Sequence, residues 1–181
     1  GTGLARGTRF VESSMAVFRK RFGLDRGVRI ATHSDFSSTL GLGSSSATVA
    51  CTLFGLAKLF QVELTPLQLF ELGLEAVVAV QQVGSGFDLA AAIYGGTLFF
   101  DTGILRRIVP LTVSRLPLIV AYSGVKADTA TYIQGVNRLL GTWPAAVSCI
   151  FDAMAQLVAG GRLVDRRNKP AESGMECRPC R

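Results

Sequence analysis

The stretch Gly41-Leu42-Gly43-Ser44-Ser45-Ser46-Ala47 stands directly before an apolar run, Thr48 to Leu56, that reads as a helix. Glycines ahead of a helix let backbone N–H groups approach an anion with no Cβ in the way. The first helical turn adds N–H groups that have no acceptor within the helix, and the positive end of the helix dipole. Serine hydroxyls can donate to phosphate oxygens or ligate a hard cation such as Mg2+. This order of residues points to a loop-to-helix junction suited to a nucleotide phosphate. Taken alone, the same residues are equally well read as an ordinary serine N-cap. Two common phosphate loops are excluded. No Gly-Lys-Ser/Thr follows, so the Walker A pattern is not met. The third glycine and later acidic residue of a dinucleotide fingerprint are missing as well.

A nucleic-acid partner is the first rival, because the 181 residues carry a net charge of +6. Six basic and three acidic residues between Arg162 and Arg181 supply +3 of it. Arg19, Lys20, Arg21, Arg26 and Arg29 form a second basic group. Neither cluster is interleaved with aromatic residues, so both read as solvated surface with no nucleic-acid role. The apolar stretches at Leu74 to Val80 and Leu116 to Ala121 are too short to span a bilayer, and no membrane partner is expected. The first residues lack the pattern of a secretion signal. Cys51 and Cys149 fall within apolar helical patterns and read as small core residues, whereas Cys177 and Cys180 form a lone C-x-x-C far from His33. One such pair is a weak metal signal, and a reducing, cytoplasmic setting is expected.

Hydrophobic periodicity predicts a helix near Arg9 to Phe22, with Phe10, Met15, Val17 and Phe18 as core positions. Gly27 to His33 alternates with period two and reads as a strand. Thr65-Pro66-Leu67-Gln68 combines a Thr N-cap, Pro at the first helical position and Gln three residues after the cap, so a helix should run to about Gln82. A short helix follows at Phe87 to Tyr94, then β-rich runs at Thr97 to Asp101, Arg107 to Val113 and Leu118 to Tyr122. Helices are expected near Ala127 to Leu140 and Pro144 to Ala159. Strands and helices mix without regular alternation, which predicts an α+β fold. Residues 162–181 lack apolar periodicity and read as a disordered tail, or as sequence foreign to the domain's natural continuation.

Gly84-Ser85-Gly86-Phe87-Asp88 is the second constellation. Asp88 follows a glycine loop at the start of an Ala-rich helix, where aspartate is a favourable first-turn residue in any protein. A carboxylate fixed beside a phosphate site could also orient or deprotonate a hydroxyl.

Taken together, Gly-Leu-Gly-Ser-Ser-Ser-Ala and, some forty residues on, Gly-Ser-Gly-Phe-Asp with Ala-Ala-Ile-Tyr-Gly-Gly resemble the GHMP small-molecule kinases. The similarity is greatest to the mevalonate and phosphomevalonate kinases. Gly84 to Tyr94 looks like the phosphomevalonate branch, and Tyr122-Ser123-Gly124-Val125-Lys126-Ala127-Asp128-Thr129 more like the mevalonate branch.

The resemblance implies a lobe like ribosomal protein S5 domain 2 over 1–122, the start of a second lobe over 123–161, and a tail over 162–181. It implies ATP-dependent phosphorylation of a small alcohol or phosphorylated alcohol, with ATP and Mg2+ as cofactors. Gly41, Leu42, Gly43, Ser44, Ser45, Ser46 and Ala47 would wrap the triphosphate, with Ser45 on the metal. Asp88 would act on the acceptor hydroxyl, Gly84, Ser85 and Gly86 would shape the loop presenting it, and Lys126 and Thr129 would lie near nucleotide or acceptor. A sugar kinase of the same superfamily and a non-catalytic nucleotide-binding remnant are the alternatives.

Two departures from the family pattern follow. The metal-binding glutamate of mevalonate kinases falls on Val77, with Glu75 two residues off. Either Ser45 and the substrate phosphates hold the metal, or Glu75 shifts in. The family's opening strand and most of its second lobe would lie outside residues 1–161. The chain alone is therefore expected to be inactive, with exposed apolar surface and a tendency to self-associate.

Overall fold

The computed structural model describes residues 8–103, 106–113, 117–125 and 129–167. The chain divides into two compact units, Gly1–Pro110 and Leu111–Arg181.

In the first unit, α1 (Thr8–Phe22), α2 (Ser44–Leu59), α3 (Pro66–Gln81) and α4 (Phe87–Tyr94) precede β1 (Thr97–Asp101) and β2 (Arg107–Leu111). The two strands pair with each other, giving the α+β mixture expected. Helix α3 starts where the sequence says it should. Thr65 N–H donates to Gln68 Oε1 at 2.9 Å, and Gln68 N–H donates to Thr65 Oγ1 at 3.2 Å. This reciprocal pair satisfies two N–H groups that would otherwise lack partners, and Pro66 gives up none at its position.

The core lies among the four helices. Phe18, Phe70, Leu53, Leu89 and Val49 are fully buried, each contributing about 1.5–3 kcal/mol by removal from water. Phe18 stacks obliquely on Phe22 with ring centroids 4.7 Å apart, and Phe70 meets Phe100 of β1 edge-on at 6.0 Å. Ser13 on α1 donates to the Ala76 carbonyl of α3 at 2.8 Å, tying these two helices together. Val17 and Phe18 are buried as expected, while Phe10 and Met15 pack against the core from partly exposed positions.

Gly73 decides how closely α4 can approach. A Cβ there would stand 2.8 Å and 3.1 Å from the two methyls of Leu89 and 3.3 Å from Val49 Cγ1. Leu89 occupies the volume that any other residue at 73 would need.

Four expectations are corrected. Gly27 to His33 forms no strand. Val28 does lean on the core while Ile30 is exposed, but a strand exists only through its ladder, and the sheet among the described residues holds β1 and β2 alone. Leu118 to Tyr122 likewise forms no strand and is exposed, Ile119 at 98%. Cys51 lies on the exposed side of α2, one position off the stripe formed by Val49, Ala50, Leu53 and Leu56. Helix α6 runs past Ala159 to Arg167, because no proline interrupts it before Pro170, so residues 162–167 are helical and not tail.

The second unit contains α5 (Thr129–Thr142) and α6 (Pro144–Arg167), which pack on each other. Trp143 joins them, its N–H donating to the Leu139 carbonyl at 2.7 Å and its carbonyl accepting from Val147 N–H at 3.1 Å. Tyr132, Val136 and Leu139 share one face of α5 and are exposed, as are Trp143, Phe151, Met154 and Leu157. By length and composition alone, Pro144–Gly161 could cross a bilayer. The Cys177–Cys180 pair lies outside the described residues.

Gly73→Ala should lower stability by about 1–2 kcal/mol. Overpacking against Leu89 exceeds the roughly 1 kcal/mol that alanine gains over glycine within a helix. Urea denaturation of both proteins measures the difference; a more stable variant would show that α4 is not seated as described.

Candidate active site

The site forms where α2 and α4 begin. Both helices start from glycines in the left-handed region, Gly43 (φ 70°) before α2 and Gly86 (φ 86°) before α4. Neither N-cap supplies a side-chain acceptor. The first turns close through Ala47 N–H to the Gly43 carbonyl at 3.0 Å and Ala90 N–H to the Gly86 carbonyl at 2.8 Å. The N–H groups of Ser44, Ser45 and Ser46 therefore have no acceptor within their helix, which makes this end of α2 attractive to an anion.

Both glycines are required on geometric grounds. A left-handed backbone costs a residue with a Cβ about 1–2 kcal/mol. At Gly86 a Cβ would also come within 3.0 Å of Phe70 Cζ and 3.1 Å of Leu74 Cδ1. Gly43 has room, but a Cβ there would reach 4.0 Å from Asp88 Cβ, which measures how near the two helix starts lie.

One hydrogen bond joins them. Ser46 Oγ donates to Asp88 Oδ2 at 2.7 Å, across 42 residues of sequence. The other carboxylate oxygen, Oδ1, accepts from Leu89 N–H at 2.9 Å. Asp88 is half-buried, so it keeps an open side. Ser44 and Ser45 are also half-buried, whereas Ser46 is only 1% exposed. Gly41 and Leu42 are exposed ahead of the helix, and Ala47 is half-buried in its first turn. Gly84 and Ser85 are exposed in the second loop, with Gly84 close to Val77. Tyr94 at the end of α4 holds its proton more tightly than an ordinary tyrosine, first through burial and then through the negative charge of Glu71. It is a neutral phenol at physiological pH.

Glu75, the other residue weighed as a metal ligand, does not join the site. Glu75 reaches toward α1, 3.8 Å from Lys20 on the exposed surface, while Val77 is buried and faces Gly84. Two residues turn an α-helical side chain to nearly the opposite face, so α3 does not direct Glu75 to Asp88. Among the described residues no three His, Cys, Asp or Glu cluster to hold a metal. Thr129 opens α5 in the second unit, and Lys126 lies outside the described residues.

Residues 9–96 match the family described as the GHMP kinases N terminal domain. They are a GHMP kinase N-terminal domain. This GHMP domain contains both glycine junctions and Asp88. The chain is 31% identical over 139 residues to a mevalonate kinase of Thermococcus sibiricus, covering 77% of this chain and 41% of that protein. It is 29% identical over 148 residues to a mevalonate kinase of Pyrococcus horikoshii, covering 82% and 42%. It is also 26% identical over 141 residues to a shikimate kinase of Methanocella arvoryzae, covering 75% and 47%. The chain thus spans less than half the length of these curated relatives. No solved structure matches it.

Two features of the GHMP domain escaped the sequence reading. The resemblance groups Ser46 with Ser44 and Ser45 as a phosphate contact, yet it stands three and seven residues before the core positions Val49 and Leu53. That phase puts it on the buried face. Gly73, a lone glycine amid apolar helical residues, carried the usual mark of a close approach.

Gly86→Ala should destabilise the domain by about 2–3 kcal/mol, combining the left-handed backbone with the crowding of Phe70. Gly43→Ala, with room for its Cβ, should cost only about 1–2 kcal/mol. Thermal melts of the two variants test this ranking, and equal losses would mean that Phe70 does not pack under Gly86.

Proposed function

We propose that the chain is the ATP-binding part of a kinase that phosphorylates a small alcohol, of mevalonate or phosphomevalonate type. The observation that supports it best is the 2.7 Å bond between Ser46 and Asp88, which sets a carboxylate beside a glycine-serine helix start. The mevalonate kinases among the relatives support the acceptor class. The shikimate kinases support a second reading, phosphorylation of a cyclic or sugar-like alcohol. In either case the fold is proposed to be an S5 domain 2-like lobe, with a second lobe beginning near residue 123.

In this reading the uncapped N–H groups of Ser44 and Ser45 bind the triphosphate, helped by the α2 dipole. Gly41 and Gly43 let the backbone come close. Asp88 receives the hydrogen bond of the acceptor hydroxyl and takes its proton as that oxygen bonds to the γ-phosphorus. The bond from the γ-phosphorus to the β-γ bridging oxygen breaks, and ADP leaves. Such a reaction depends chiefly on positioning and charge stabilisation.

Mg2+ takes oxygen ligands and commonly one or two carboxylates together with phosphates and water. The half-buried Ser45 hydroxyl and the open side of Asp88 fit a phosphate-borne ion better than a cage built by the protein. Ser45 would hold it, and its chemistry would be to neutralise phosphate charge.

Asp88→Asn in the full-length protein should lower kcat by about 100-fold or more while ATP affinity stays within a few-fold. Ser45→Ala should weaken MgATP binding about tenfold. Coupled-assay kinetics with mevalonate, phosphomevalonate, shikimate and hexoses, together with nucleotide titration, measure both. An unimpaired Asp88→Asn enzyme would refute the role given to Asp88.

A further inference from the structure

Three adjacent serines open α2, and the structure separates them. Ser44 and Ser45 are half-buried, while Ser46 is 1% exposed and turned into the protein. Its hydroxyl donates to Asp88 Oδ2 at 2.7 Å. That is a well-formed hydroxyl-to-carboxyl hydrogen bond. Leu89 N–H holds Oδ1 at 2.9 Å from the opposite side. Leu89 is the third residue of α4, so its N–H has no carbonyl to bond within the helix and Asp88 takes that place.

The last torsion of an aspartate side chain is soft and roughly two-fold, so a carboxylate held by one donor can swing. Asp88 is held by one donor on each oxygen, and the donors come from two different helices. The second lone pair of each oxygen stays available to a substrate hydroxyl on the open side.

We propose that Ser46 is a positioning residue: its hydroxyl binds no phosphate but fixes the plane of the Asp88 carboxylate and locks the start of α4 to the phosphate-binding start of α2. The catalytic part of this proposal rests on the kinase reading of Asp88, whereas the positioning part does not. Ser46 acts on turnover through geometry alone. Losing it leaves the nucleotide site intact and lets the carboxylate turn away from the acceptor oxygen, a loss of alignment to which phosphoryl transfer is sensitive.

The test compares Ser46→Ala and Ser46→Thr with the parent in the full-length protein, by steady-state kinetics and by amide hydrogen exchange read by NMR. Ser46→Ala should reduce kcat about 10- to 100-fold with the KM for MgATP within about twofold. The Leu89 amide should exchange several-fold faster while the Leu53 and Phe70 amides hold their rates. Ser46→Thr keeps the hydroxyl and should recover most of kcat. In an Asp88→Asn background, Ser46→Ala should have almost no further effect on kcat, as coupled residues require. A raised KM for MgATP with unchanged kcat would make Ser46 a phosphate ligand and overturn the proposal. An unchanged Leu89 exchange rate would overturn it too, even in a protein without detectable kinase activity. Accelerated Leu89 exchange in a protein whose turnover ignores Asp88→Asn would keep the positioning and sink the kinase reading instead.

Discussion

Leu89 sits in the hollow left by the missing side chain of Gly73, and much of the domain is arranged around that contact. Leu89 follows Asp88 directly, so the depth to which its side chain sinks between α2 and α3 sets how far the carboxylate projects. Val49 on α2 closes the same hollow from the other side. Three helices thus meet over a single absent methyl group. Packing at this density transmits displacement and does not absorb it, so the polar site inherits its geometry from an apolar contact beneath.

Above that contact the chemistry divides between the two helix starts. Helix α2 offers N–H groups and hydroxyls, all suited to negative charge, while α4 offers a carboxylate. A carboxylate beside an anion site would repel the phosphates if both were free to close on each other. The Ser46 hydroxyl and Leu89 N–H draw the charge of Asp88 toward themselves and hold it to one side. Opposed preferences are thereby kept in one small volume, as the proposed phosphoryl transfer would need.

Much of this was legible in the residues. Thr65-Pro66-Leu67-Gln68 specified its helix start because the cap, the proline and the glutamine act locally. Gly43 and Gly86 announced their turns because a positive φ is a property of one residue. The strand expected at Gly27 to His33 failed for the converse reason: its alternation was real, but pairing belongs to two segments and one cannot supply it. Cys51 was misplaced by a single step of helical phase, an error that window-wide apolar content cannot detect. The bond from Ser46 to Asp88 spans 42 residues, and sequence spacing alone says nothing of which of three serines turns inward.

The donors at the head of α2 that no carbonyl of the helix reaches have a thermodynamic implication. A side chain at the N-cap commonly closes the first turn of a helix, but Gly43 has none to offer. A bound anion would complete the helix as a missing cap does, so occupancy and folding would draw on the same free energy. The stability of this junction would then depend on how firmly an anion is held there.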